Sequence, residues 1–261
     1  MAISGLMFVM AALFVSGKQA NAEFKQGMNE INTKVQQIIS DVGNGYYPSS
    51  ENFTCSVSGT SQPVISPPSG GATAKGSQYG CTFIGKIVVF DTNTSKYNVY
   101  SLAGRQYSDN NGSPVYTITD AKPVAIISDG IDTTEHNTLQ WGLTVTGVKD
   151  YTTGSQIGAL AFLSSFPSDS SGATGSVESS SQTVQVYSLP TTFTDGSIVV
   201  GTPISEATFG SPVQNPHIVV CFDGGRGLYG ALTIGGSSGN GLSTDVQTYT
   251  DKASWQSQGK C

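Results

Sequence analysis

Phe24, Met28, Ile31, Val35, Ile38 and Val42 follow one another at spacings of 4, 3, 4, 3 and 4. That rhythm puts six apolar side chains on one stripe of an α-helix, with Glu23, Lys25, Glu30, Lys34 and Gln36 on the other faces. No proline interrupts residues 2–42, and Gly43, Asn44 and Gly45 supply a left-handed stop. Upstream, residues 2–17 (AISGLMFVMAALFVSG) carry no charge. At 1.5 Å per residue, one continuous helix over this stretch is roughly 60 Å long. It is apolar all round at its start and one-sided further on, so the stripe must be covered by the rest of the chain.

The apolar segment admits three readings. Its sixteen residues fall short of the roughly 20 that span a bilayer. A secretory signal would be cut at Ala20-Asn21-Ala22, leaving Glu23 as the first mature residue. Against this, no basic residue precedes the run, and Lys18 lies between the run and the cut. A buried core helix is the second reading. The third is the remaining part of a longer membrane helix that begins upstream of Met1. Signal peptides do not continue into an amphipathic stripe, which favours the third. The chain then divides into a membrane or filament-core part (1–22), an amphipathic continuation (23–43) and an extracytoplasmic β-rich head (44–261).

Charged residues make up 11 % of the chain, and 32 glycines stand among many Ser and Thr. An ordinary soluble protein has about a quarter charged residues. The net charge of −6, with its few cations scattered, disfavours nucleic acid as a partner. Four cysteines, Cys55, Cys81, Cys221 and Cys261, include no C-x-x-C pair, and only His136 and His217 could join them around a metal. An even count after an apolar leader points to disulfides, for which three connectivities exist. Local pairing, Cys55 with Cys81 and Cys221 with Cys261, is preferred because each pair bounds one compact stretch. Each such bridge contributes about 3 kcal/mol through the unfolded state.

Residues 46–80, rich in Pro, Ser and Gly, read as a loop from helix to sheet. Strand-length apolar runs follow at 83–90, 97–102, 124–127, 139–148, 157–163, 184–189, 198–200, 218–222 and 228–234. Short runs at this frequency, without helical periodicity, predict an α+β chain: one long amino-terminal helix packed on a single antiparallel β-sheet domain. Asp109-Asn110-Asn111-Gly112 and Asp195-Gly196 read as hairpin turns, and residues 164–181 as an exposed Ser/Gly loop.

Sites for chemistry are sparse. No G-x-S-x-G motif orients a serine. His136 reads as a solvent-exposed loop residue beside Glu135, and His217, after Pro216, as structural. Asp129, Asp132 and Glu135 recur at spacing three but lack the ligand alternation of an EF-hand loop. Asn52, Asn93 and Asn111 open glycosylation triplets that carry no weight in a Ser/Thr-rich chain. The expectation is therefore no enzyme, no catalytic residue, no metal and no cofactor. Gly224-Gly225-Arg226-Gly227 reads as a hairpin with Arg226 at its tip.

An unbroken helix, apolar first and amphipathic second, ahead of a β-rich domain with carboxy-terminal cysteines, resembles the type IV pilins and pseudopilins. The segment AISGLMFVMAALFVSGKQANAEF is similar to the stretch after a prepilin processing site. CTFIGKIVVFD, SLAGRQ and CFDGGRGLYGALTIGG carry the likeness more loosely. The resemblance places the processed aromatic residue and its glutamate upstream of Met1. It implies a structural subunit, minor or major and preferably minor, of a type IV pilus-like filament, serving adhesion, motility or surface attachment. Its partners would be other pilin subunits through the helix, the inner membrane before assembly, and the pilus assembly machinery. A single-pass topology with an extracytoplasmic head follows from it. Small residues (Ala2, Ser4, Gly5, Ala11, Ala12, Ser16, Gly17, Ala20) would let helices approach closely in a filament core, while the stripe from Phe24 to Val42 buries against the head. The family also has a Gly-Arg near the carboxy terminus of tip subunits. Here Leu228 and Tyr229 follow, so a structural Arg226 paired with Asp223 is preferred, with partner contact as its alternative. A type II secretion pseudopilin, and a secreted β-rich enzyme or binding protein with a cleaved signal, are the competing functions.

Overall fold

A computed structural model describes residues 2–45, 53–59, 61–67, 78–108, 112–128, 131–164, 184–198, 202, 204–209, 217–235 and 242–261, with helix side chains described from Lys18 onward. The first element, α1 (Ala2–Gly43), is one unbroken helix of 42 residues. It ends where the Asn44 N–H donates to Ser40 and that of Gly45 to Val42, with Gly45 in the left-handed region.

The membrane expectation needs correction. Among the described residues, no helix is long and apolar enough to cross a membrane. From Lys18 onward α1 carries Glu23, Lys25, Glu30, Lys34 and Asp41, charges that a hydrocarbon interior disfavours strongly. A single-pass transmembrane topology is thus overturned.

Fifteen strands occur among the described residues. The first six are β1 (Thr54–Ser56), β2 (Val64–Ser66), β3 (Gln78–Tyr79), β4 (Cys81–Phe90), β5 (Lys96–Arg105) and β6 (Val124–Ala125). Next come β7 (Ile127–Ser128), β8 (Ile131–Asp132), β9 (Glu135–Thr138), β10 (Thr144–Asp150) and β11 (Ala159–Ser164). The last four are β12 (Val184–Leu189), β13 (His217–Asp223), β14 (Tyr229–Gly235) and β15 (Thr244–Tyr249). A six-stranded sheet runs β12-β11-β4-β5-β6, with β9 also paired to β5, and a four-stranded sheet runs β10-β13-β14-β15. All neighbours in both are antiparallel. Thr94 and Val145 form a bridge between the two sheets. Short pairs complete the head: β7 with β8, and a small sheet β2-β1-β3.

This is the α+β architecture of a long helix packed on antiparallel sheet. The stripe residues Phe24 to Val42 are all at most 2 % exposed. They share one core with Val88, Phe90, Val99, Leu160 and Phe162 of the larger sheet and Val148, Val220, Phe222 and Leu232 of the smaller. The larger sheet buries its reverse face as well. There Ile87, Val89, Tyr100, Leu102 and Leu163 meet Ile118 and Ala121 of α2 (Ile118–Ala121) and Phe209 of α3 (Glu206–Phe209). Burial on both faces explains why β4 and β11 read as continuous apolar runs rather than alternating ones.

Three local expectations change. Within 46–80, read as loop, the described residues form β1, β2 and β3. Asp195-Gly196 is no hairpin turn but part of a 3₁₀ turn, Asp195–Ser197, after β12. Residues 139–143 turn instead of extending, with Trp141 and Gly142 both left-handed (φ 62° and 71°), so that strand begins at Thr144. Asp109, Asn110 and Asn111, the loop at 165–181, and residues 199–200 lie outside the described residues.

The cysteines pair as Cys55–Cys81, tying β1 to β4, and Cys221–Cys261, tying β13 to the end of the chain beyond α4 (Lys252–Ser257). Asp251 caps α4 by accepting the Ser254 N–H at 2.7 Å. Trp255 anchors it, donating its indole N–H to the Gly230 carbonyl at 2.9 Å and stacking on Tyr229.

Candidate functional site

The joint between α1 and the head concentrates most of the unusual chemistry. Its apolar half is the stripe. Two glycines, Gly224 in the turn after β13 and Gly230 of β14, make room for it. A Cβ on Gly224 would stand 2.2 Å from Phe24 Cδ2, and one on Gly230 would stand 2.5 Å from Met28 Sδ. Both separations lie well inside van der Waals contact, so the helix approaches the backbone itself.

The polar half is an ion cluster. Lys86 of β4 projects toward α1, and its side chain is only 5 % exposed. Its ammonium donates to Asp41 Oδ2 at 2.7 Å and to Glu135 Oε1 at 3.2 Å. Lys34, on the helix, donates to Glu135 Oε2 at 2.5 Å. Two charges of α1 and two of the sheet thus alternate in sign across the joint. A buried ammonium without a counter-charge is strongly unfavourable, so Lys86 constrains where Asp41 and β9 can sit. The cluster fixes register where the apolar stripe alone could slide.

Burial alone would raise the Glu135 carboxyl, but hydrogen bonds and charge from Lys34 and Lys86 outweigh it and hold the group below its ordinary value of 4.5. Tyr97 is pushed up to about 12, first by burial and then by the charges of Glu135 and Glu30. A carboxyl whose folded pKa is depressed stabilises the fold above its unfolded pKa, and the contribution is lost as pH falls through the folded value. The thermal midpoint of the wild-type chain is therefore expected to fall more steeply below pH 4.5 than that of Glu135→Gln. Equal slopes for the two proteins in a pH series of melts would contradict this.

The remaining sequence candidates scatter. Glu135 faces two lysines, which opposes a calcium role. Asp129 lies outside the described residues, and of Asp132 only the backbone is described. His136 Nδ1 lies 2.9 Å from Asn98 Oδ1, on the sheet face away from α1. Asn98 and the Tyr100 hydroxyl both donate to Asp195 Oδ1 there. His217 stacks on Tyr151 with centroids 3.7 Å apart.

Arg226 sits exposed at the tip of the β13–β14 hairpin. Gly225, Arg226 and Gly227 are all left-handed, with φ of 68°, 53° and 76°. The preferred Arg226–Asp223 pair does not form. Asp223 Oδ1 instead accepts the Gly225 N–H at 2.7 Å, which closes the tight turn. Among the described residues Arg226 makes no ion pair.

Sequence reasoning missed Lys86, Asp41 and the bridging place of Glu135. One signal was available: Lys86 is the lone charge in the ten-residue strand CTFIGKIVVF, and an isolated lysine in such a run requires a partner. The architecture has a generic pilin-like shape, a long amino-terminal helix laid along a β-rich head. The chain matches no family model, no curated protein and no solved structure.

Proposed function

We propose that the chain is a structural subunit of a type IV pilus-like filament and has no enzymatic activity. In this reading the apolar start of α1 packs against the same segment of neighbouring subunits, and the head forms the outer surface. The single observation that carries it is the division of labour along one helix. Residues 24–42 are locked to both sheets by the stripe and the ion cluster, and the helix runs for 22 residues, Ala2 to Glu23, ahead of Phe24. Such a rod can couple a head rigidly to an assembly formed by its other end. The polar residues Lys25, Gln26, Asn29, Thr33 and Gln37 are exposed and would line the space between neighbouring heads.

The test combines electron microscopy of filaments sheared from producing cells with amino-terminal sequencing of the recovered chain. The expected result is this chain in the filament fraction with its apolar segment retained. A mature chain that starts at Glu23 and is recovered as a monomer would end the proposal.

A further inference from the structure

The smaller sheet turns one face to α1 and the other to α4. On the second face, β10, the turn after it and the carboxy-terminal segment border an open groove of about 420 Å3. Lys149, Tyr151, Thr152, Thr153, Gln256 and Lys260 line most of it. Gly154 and Cys261 complete the lining, which includes no carboxylate side chain. The Cys261 main-chain oxygen takes the Lys149 ammonium, so Lys260 is the cation left to the groove.

The groove is stiffened from both sides. Cys221–Cys261 pins the last segment to β13, and Lys149 Nζ donates to the main-chain oxygen of Cys261 at 2.5 Å. Across from it, Asp150 Oδ1 accepts the N–H groups of Thr152 and Thr153 at 2.9 and 2.7 Å and the Thr153 hydroxyl at 3.0 Å. That carboxylate is thereby turned into its own loop. The Tyr151 ring lies flat on His217, at an interplanar angle of 17°, and so stands as a fixed aromatic wall. Lys260 is exposed and left-handed at φ 57°, a conformation lysine rarely adopts. Among the described residues it makes no ion pair.

Ammonium groups alone would suit any small anion. An aromatic wall, a threonine hydroxyl and a carboxamide beside them suit something larger, with an apolar C–H face and several hydroxyls. We infer that this groove binds a carboxylate-bearing sugar unit, Lys260 holding the carboxylate while Tyr151, Thr152 and Gln256 receive the ring. The inference does not depend on filament formation, because every lining residue belongs to one head.

The experiment is calorimetric titration of the full chain with a glucuronate-containing oligosaccharide, a neutral glucose oligosaccharide of equal length, and inorganic phosphate. Binding of the acidic oligosaccharide alone is expected. Lys260→Asn should weaken it about tenfold, by loss of one charge-assisted contact, with the thermal midpoint unchanged because asparagine tolerates the left-handed backbone. Arg226→Gln is the control. It lies in the hairpin turn beyond the far end of β13, which spans His217–Asp223, and should leave affinity as it is. Equal binding of the neutral oligosaccharide, phosphate binding as tight as the acidic sugar's, no binding of any probe, or an unaffected Lys260→Asn protein would each overturn the assignment.

Discussion

Ile31→Asp will separate the helix from the sheet. Ile31 is 2 % exposed in the middle of the stripe, so the new carboxylate would enter an apolar core, and the nearby ammonium of Lys34 is already held by Glu135. Loss of a buried isoleucine and burial of an unpaired charge act together here, so the expected cost is about 4 kcal/mol or more. The measurement is a thermal melt followed by circular dichroism, with amide exchange along residues 24–43 as the local readout. A large fall in midpoint, with fast exchange over that stretch, is expected. Asn29→Asp adds the same charge on an exposed face of the helix and should leave both readouts nearly unchanged. An unaltered midpoint for Ile31→Asp would mean that docking contributes nothing to the fold.

The second large effect is expected from stripping Lys86 of its partners. In Asp41→Asn combined with Glu135→Gln, the Lys86 ammonium keeps its place in the joint, its side chain 5 % exposed, with no carboxylate near it. Breaking a buried pair from one side costs about 3–5 kcal/mol, because the remaining charge is left uncompensated. Lys86→Met on the wild-type background behaves differently. A straight apolar chain fills the same volume, and the carboxylates left behind are better solvated than Lys86: Asp41 is 20 % exposed, and Glu135, 34 % exposed, keeps Lys34. Replacing a whole buried ion cluster by uncharged groups is often neutral or stabilising. Adding Lys86→Met to the double variant should therefore recover most of the lost stability. Denaturant melts of the four proteins check this. A double variant as stable as the wild type, or no recovery in the triple one, would remove the cluster from the account of the joint.

These two predictions also mark where sequence reasoning reached and where it stopped. The helix, its stripe and the α+β class were legible because they are periodic. The spacing from Phe24 to Val42 repeats at the helical turn, and β4, β5, β11 and β13 are apolar runs bounded by turn residues. Strands β9 (EHNT) and β15 (TDVQTY) carry no such signal. Their polar side chains gave no apolar run to find, and they are held by pairing to β5 and β14. The short helix α4 escaped because its evidence is a single buried Trp255 and an Asp251 cap. The ion cluster was out of reach for another reason. Lys86 meets partners 45 and 49 residues away, and Glu135 meets Lys34 at a separation of 101, so nothing local joins them. The membrane reading failed because the uncharged run stops at Lys18, and no described helix offers a stretch long and apolar enough to cross a membrane.

The bridge between Thr94 and Val145 joins the two sheets at one point, yet α1 lies against strands of both. Tension applied along the rod would therefore load the two sheets together, as a splint loads both sides of a seam. Sliding would have to shear the buried side chains from Phe24 to Val42 in concert, since they lie in line with the pull and not across it. Peeling them free one at a time requires a sideways force.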